Sequence, residues 1–141
     1  MPIRTAEAEW RGDLVEGGGH LRLGSGVCAS PYDFRGRTDE GSASNPEEML
    51  GAAHAGCFSM TLAYQLSQAG FTVERIHTTA NVHFEQRGGG WSIHTIVLAT
   101  QARVPGISTA AFIAQANHAR RHCPVSRALA GVAIQLNATL I

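Results

Sequence analysis

Ser44-Asn45-Pro46-Glu47-Glu48-Met49-Leu50-Gly51-Ala52-Ala53-His54-Ala55-Gly56-Cys57-Phe58-Ser59-Met60 is the stretch on which the reading of the fold turns. Asn45 can cap a helix, Pro46 suits its first position, and Glu47 and Glu48 complement the positive end of the dipole. Gly70 ends the run, which predicts a helix over Pro46 to Ala69. At 1.5 Å per residue such a helix is roughly 36 Å long, the width of a small domain. From Met49 to Gly70 it carries no formally charged residue, and a helix uncharged all round wants protein on every side. One short chain does not obviously supply that cover, so burial alone points to a homodimer.

Outward from this helix the pattern is mostly period two. Leu21 and Leu23 alternate with His20 and Arg22, as in a half-solvated strand, and Gly17-Gly18-Gly19 before them reads as a hairpin turn. Residues 30–44 hold Pro31, Gly36, Gly41 and several charges, which predicts a long loop. Beyond the helix, strand-like runs over Thr72–Arg87 and Trp91–Val104 are joined by Gly88-Gly89-Gly90, a second hairpin. Ser108 caps a helix over Thr109–Arg121, Pro124 opens a short one to Ala130, and Val132 to Leu140 alternate as a closing strand. Strands, helix, hairpin, helix and strand in that order give an α+β fold, read as a single domain over residues 1–141.

Composition removes several classes of function. The chain has 141 residues, and its 11 basic and 11 acidic side chains balance, so no basic stripe argues for nucleic acid. Every basic residue is arginine, which excludes a lysine Schiff base and a P-loop lysine. Three cysteines, an odd number, with no apolar signal segment at the start, lead to the expectation of a reducing cytoplasm. The uncharged helix contains His54, Ser59, Thr61, Gln65 and Gln68 and is too polar for hydrocarbon, so no membrane span is expected.

The chemistry rests on two thiols 66 residues apart, Cys57 inside the long helix and Cys123 in His122-Cys123-Pro124-Val125-Ser126. A buried cysteine is ordinarily a small hydrophobe, and Cys57 fits that reading as well as it fits a nucleophile. His54 lies one turn before it, either tuning its ionisation or filling a polar gap in the core. Pro124 at a helix start puts Cys123 at the N-cap, where the dipole favours a thiolate. Cys28 has no such context and reads as a spectator. His118 and His122, four apart with Cys123 adjacent, are the best metal candidate, but no zinc-binding spacing accompanies them and no metal site is assigned. A nucleophile elbow and a phosphate-binding glycine loop are both missing.

Residues 44–60 together with Cys123-Pro124-Val125-Ser126 closely resemble the thiol peroxidases of the OsmC/Ohr family, and its OsmC branch most. Val104-Pro105-Gly106-Ile107 matches the family's link into the second helix, and Ala8-Glu9-Trp10-Arg11-Gly12-Asp13 its opening strand. The resemblance implies an OsmC-like fold of antiparallel sheets around a long central buried helix, in an intertwined homodimer with two active sites at the subunit interface. It implies reduction of organic hydroperoxides, and of hydrogen peroxide less efficiently, without a cofactor. Cys57 matches the peroxidatic position and Cys123 the resolving one, which would close an intramolecular disulfide. Arg37, in Phe34-Arg35-Gly36-Arg37, matches the arginine that stabilises the thiolate, and Glu47 the carboxylate that holds it. Glu47 stands ten residues before Cys57, about 15 Å along a helix axis, so it could act only through an arginine or from a partner chain. A dithiol reductant of the lipoyl type is implied by the family's Ohr branch, with small-molecule thiols and thioredoxin as the alternatives. The rival from another class is a non-enzymatic dimer of the same fold that holds a lipid-like ligand.

Overall fold

The computed structural model describes residues 1–38, 41 and 43–141, and it divides into two compact units, 1–49 and 50–141. In the first unit, strands β1 (Ala6–Arg11), β2 (Gly18–Leu23) and β3 (Ala29–Tyr32) form an antiparallel sheet in that order, followed by one helical turn, α1 (Arg35–Thr38). The glycine triplet is not the turn it was expected to be. Gly18 and Gly19 pair with Arg11 and Trp10 inside the ladder, and the reversal runs over residues 12–17, from Gly12 with φ at +92° to Gly17, whose amide donates to the Asp13 carbonyl at 3.0 Å. Gly19 belongs in the strand for a steric reason: a Cβ there would lie 2.3 Å from the Glu9 carbonyl oxygen and 2.6 Å from the Tyr32 ring. The loop expected over residues 30–44 is likewise corrected, since it holds the end of β3 and all of α1; Asp39, Glu40 and Ser42 lie outside the described residues.

The long helix α2 (Pro46–Gln68) starts in the first unit and runs on into the second. Its buried positions, Gly51, His54, Phe58, Leu62 and Leu66, recur every three or four residues, the period of one helical face. Gly51 sits on this face because the helix comes close to a strand there: a Cβ would meet the Val82 side chain at 3.2 Å. The opposite face, with Ala52, Ala53, Gly56, Met60 and Tyr64, stays exposed. The expected all-round burial is therefore not met within one chain, which covers a single face.

Strands β4 (Arg75–Arg87) and β5 (Gly90–Arg103) form the predicted hairpin, closed by Gly88 and Gly89 at positive φ, with Phe84 and Trp91 stacked at 5.0 Å beside it. Helices α3 (Thr109–His122) and α4 (Pro124–Ala128) then return the chain, and β6 (Ala133–Leu140) joins β5 in parallel, Ile96 beside Ile134. This corrects the expectation of purely antiparallel sheets. A parallel neighbour needs a long crossover connection, and α3 with α4 provides it. The core of this unit gathers Phe58, Leu62 and Leu66 of α2, Ile96, Leu98 and Ala102 of β5, and Phe112, Ala116 and Ala119 of α3. Gln65 ties α2 to α3 by donating to the Gln115 carbonyl at 2.9 Å. Among the described residues no helix is long and apolar enough to cross a membrane.

Candidate active site

In the first unit one asparagine organises the charged pair. Asn45 Oδ1 accepts from the Glu48 amide at 2.8 Å, the expected cap of α2, while its Nδ2 donates to the Gly36 carbonyl at 2.7 Å. Asp33 Oδ1 accepts from the Gly36 amide at 2.7 Å and starts α1. One side chain thus fastens the turn carrying Arg37 to the start of the helix carrying Glu47. Arg37 Nη2 and Nε lie 2.9 and 3.0 Å from Glu47 Oε1, and Nε is 3.3 Å from Oε2. A guanidinium engaging both carboxylate oxygens is held in orientation as well as position. Glu47 is buried, Arg37 keeps part of its surface open, and Arg35 is exposed. Beside Arg37 a cavity of about 300 Å³ is lined mainly by Trp10, Leu14, Tyr32, Phe34 and Pro46, a largely apolar wall that Asp33 and Arg37 complete with one charge of each sign.

Because the Asn45 side chain makes both contacts, Asn45→Ala is expected to cost about 1 kcal/mol from the lost cap alone. For a chain of this size that lowers Tm by about 3 °C. Asn45→Asp keeps the cap and loses only the donor to Gly36, so it should sit between Asn45→Ala and wild type. Thermal unfolding followed by circular dichroism reads the order, and equal Tm values for all three proteins would contradict it.

In the second unit the two thiols meet. Cys57 is half-buried, Cys123 fully buried, and both are free. They lie within hydrogen-bonding reach of each other, and the Val125 amide and Thr61 hydroxyl also bond to Cys57. Burial pushes the Cys57 thiol up from its ordinary 9.0 and the neighbouring Cys123 pushes it the same way, while the Val125 and Thr61 bonds pull against them. Cys123 is the N-cap of α4, as its proline predicts, and its Sγ accepts from the Ser126 amide at 3.3 Å. Sulfur contacts from α2 and from the start of α4 therefore converge on one place.

His54 does not turn to Cys57, as one of its two expected readings required. It is fully buried, and its Nε2 lies 2.8 Å from Ser126 Oγ, which in turn is 3.0 Å from Cys123 Sγ. Burial lowers the His54 pKa from 6.5, favouring the neutral ring. His118 and His122 are exposed, their rings 4.1 Å apart, with His118 Nδ1 at 2.9 Å from Gln65 Oε1; Cys123 faces inward, away from that pair. Among the described residues no group of three or more metal-ligating side chains gathers. Ser126, Val125 and Thr61 were not singled out as contacts of the thiols from sequence. For Ser126 a signal existed, since the third residue after an N-cap presents its amide to the cap side chain.

This arrangement occurs in a chain with clear relatives. A curated protein of Escherichia coli K12 named Peroxiredoxin OsmC is 41% identical over 127 residues, covering 89% of each chain, and a protein of the same name from Shigella flexneri matches equally. Among solved structures, an organic hydroperoxide resistance protein OsmC from Legionella pneumophila shares the fold at TM-score 0.71 and 22% identity, over 99% of this chain and 98% of that one. An OsmC-like protein of unknown function from Vibrio cholerae superposes at TM-score 0.79 and 15% identity, over 98% and 99% of the two chains. The family model described as OsmC-like protein matches residues 39–137, and with the 41% identity this places the chain in the OsmC-like family.

Proposed function

We propose that this chain is a thiol-dependent peroxidase that reduces organic hydroperoxides to alcohols, and hydrogen peroxide less efficiently, with residues 1–141 working as one domain. The peroxidase class follows from kinship with a peroxiredoxin along nearly the whole chain. The observation that carries the chemistry is the meeting of Cys57 with Cys123 beside the Val125 amide. Two thiols hold the two electrons a hydroperoxide needs, so the reaction requires no cofactor.

In this reading the Cys57 thiolate attacks the terminal oxygen of the hydroperoxide. The O–O bond breaks, the leaving alkoxide takes a proton from solvent and departs as the alcohol, and Cys57 becomes a sulfenic acid. Cys123 then attacks that sulfur, water leaves, and a Cys57–Cys123 disulfide remains for an external dithiol, lipoyl-type by resemblance, to reduce. Arg37 supplies the positive charge that favours the thiolate and the departing oxygen, and Glu47 holds Arg37 in place. The apolar wall of the cavity beside Arg37 favours a substrate with a hydrocarbon part. Three free cysteines suit a reducing cytoplasm.

The open face of α2 supports a homodimer, since Met60 and Tyr64 are 77% and 67% exposed beside Ala52, Ala53 and Gly56. Sedimentation should give twice the 15.0 kDa chain mass. Met60→Arg, which puts a charge on that face, should shift the protein toward monomer, and a wild-type monomer would contradict the proposal.

Steady-state consumption of cumene hydroperoxide with a dithiol reductant tests the function itself. Turnover proportional to enzyme and faster than with hydrogen peroxide supports it. Consumption no faster than with reductant alone would end it and leave the ligand-binding dimer, with the apolar cavity as its site.

A further inference from the structure

Two residues beyond the cysteines, arginine and glutamate complete a chain of short contacts behind the resolving thiol. Ser126 Oγ is 3.0 Å from Cys123 Sγ and 2.8 Å from His54 Nε2. Cys123 and His54 are fully buried and Ser126 is 5% exposed, so bulk water does not reach the Cys123 proton directly. The other ring nitrogen, His54 Nδ1, is buried with no hydrogen-bond partner among the described residues. No carboxylate therefore fixes the ring in one tautomer, and Nε2 can stand either bare or protonated. With Nε2 bare, Ser126 donates to it and is free to accept from the Cys123 thiol. With Nε2 protonated, His54 donates to Ser126, and Ser126 donates to a Cys123 thiolate. These are the two ends of one proton transfer.

We infer that Ser126 and His54 form a proton relay for Cys123, carrying its proton away as the disulfide closes and returning it when the disulfide is reduced. The inference rests on the peroxidase reading and adds a base to its second step. The S–H bond of Cys123 breaks, its electron pair forms the bond to Cys57 sulfur, and the S–O bond of the sulfenic acid breaks. The thiol proton moves to Ser126 Oγ while the serine's own proton moves to His54 Nε2. The proton released by the imidazolium neutralises the departing hydroxide, so the net products are the disulfide and one water. Cys123 sulfur is oxidised and Cys57 sulfur reduced by the same amount. In re-reduction the direction reverses: an incoming thiolate attacks Cys57, and Cys123 leaves as a thiolate that takes a proton from Ser126, which is made good through His54 once the ring has taken one up from solvent.

Ser126 touches a reacting atom, whereas His54 acts through it, and the arrangement explains why a neutral, buried imidazole is useful here. Burial keeps the ring unprotonated and so ready to accept. The Ser126 amide, 3.3 Å from the same sulfur, stabilises the thiolate independently of the hydroxyl. That separation allows a clean test, because Ser126→Ala removes the hydroxyl and keeps the amide at the start of α4. His54→Gln keeps a group that can bond to Ser126 but cannot take up a proton.

The experiment is a rapid-quench single turnover with one equivalent of tert-butyl hydroperoxide, with sulfenic acid trapped by dimedone and disulfide counted by mass spectrometry. It compares wild type, Ser126→Ala, His54→Gln and the double variant, each first shown to be folded by its thermal transition. The relay predicts that each single variant accumulates sulfenic acid and closes the disulfide on the order of 10²–10⁴-fold more slowly. The double variant should be no slower than the slower single one, because groups acting as a unit are non-additive. Additive losses would assign the two residues structural roles and overturn the relay, as would disulfide closure in His54→Gln at the wild-type rate. A wild type that forms neither sulfenic acid nor disulfide would instead bring down the peroxidase reading beneath it.

Discussion

Cys57→Ser is expected to lose hydroperoxide consumption entirely, down to the uncatalysed background, while Cys123→Ser still consumes one equivalent per chain and stops at a sulfenic acid. The asymmetry follows from the proposed division of labour between the thiols. A serine hydroxyl at residue 57 is not ionised at neutral pH and is a poor nucleophile toward oxygen, so the first step has no substitute. Cys123 acts only after that step, so its loss blocks closure of the disulfide and leaves the oxidised Cys57 waiting for an external thiol. Cys28, the third free cysteine, caps no helix and has no neighbouring histidine in sequence, and is not expected to rescue either variant. Colorimetric peroxide assay under single-turnover conditions separates the cases. Residual turnover in Cys57→Ser, or full cycling in Cys123→Ser at the wild-type rate, would contradict the assignment.

Arg37→Ala carries the second largest expected effect, and its sign can be worked out. Burial and the neighbouring Cys123 hold the Cys57 thiol above 9.0, with only the Val125 and Thr61 bonds opposing them. A raised thiol pKa leaves little thiolate at neutral pH, so the proposed chemistry needs a positive charge, and Arg37 is the proposed source. An opposite charge beside an ionisable group shifts its pKa by about 1–3 units. Removing it should raise the Cys57 titration further and slow the first step about 10- to 1000-fold at pH 7, because thiolate fraction falls tenfold per unit. The deficit should shrink as pH rises, since hydroxide then supplies what the guanidinium no longer does. Iodoacetamide alkylation of Cys57 across pH measures this directly. Identical pH profiles for wild type and Arg37→Ala would remove Arg37 from the mechanism. Glu47→Gln should move the profile in the same direction by less, as the guanidinium survives but loses the carboxylate that holds it.

Much of this arrangement was legible in the sequence, and the gaps have physical causes. The start of α2 was readable because its signals are local: Asn45, Pro46, Glu47 and Glu48 all act within one turn. The β4–β5 hairpin and the starts of α3 and α4 were readable for the same reason, from the glycines at 88–90, Ser108 and the Cys123-Pro124 pair. The parallel seat of β6 was not, because alternation of period two is the same in parallel and antiparallel strands. The turn α1 escaped because four residues are too few to show a period, and it is fixed by Asp33 and Asn45 side chains. The link from His54 to Ser126 spans 72 residues, and no local rule reaches that far. His54 was noticed beside Cys57 along the helix, yet its partner Ser126 is set by how α4 packs, and that serine contacts the other cysteine.

The central claim is that Cys57 and Cys123 are one redox pair, and peptide mapping tests it most directly. Fully reduced protein would be given one equivalent of tert-butyl hydroperoxide, alkylated, digested without reductant and read by mass spectrometry. The account predicts loss of two thiols per chain, a single Cys57–Cys123 cross-linked peptide, and Cys28 alkylated as before. Three alkylated cysteines with the hydroperoxide unconsumed, or a bridge that includes Cys28, would contradict it.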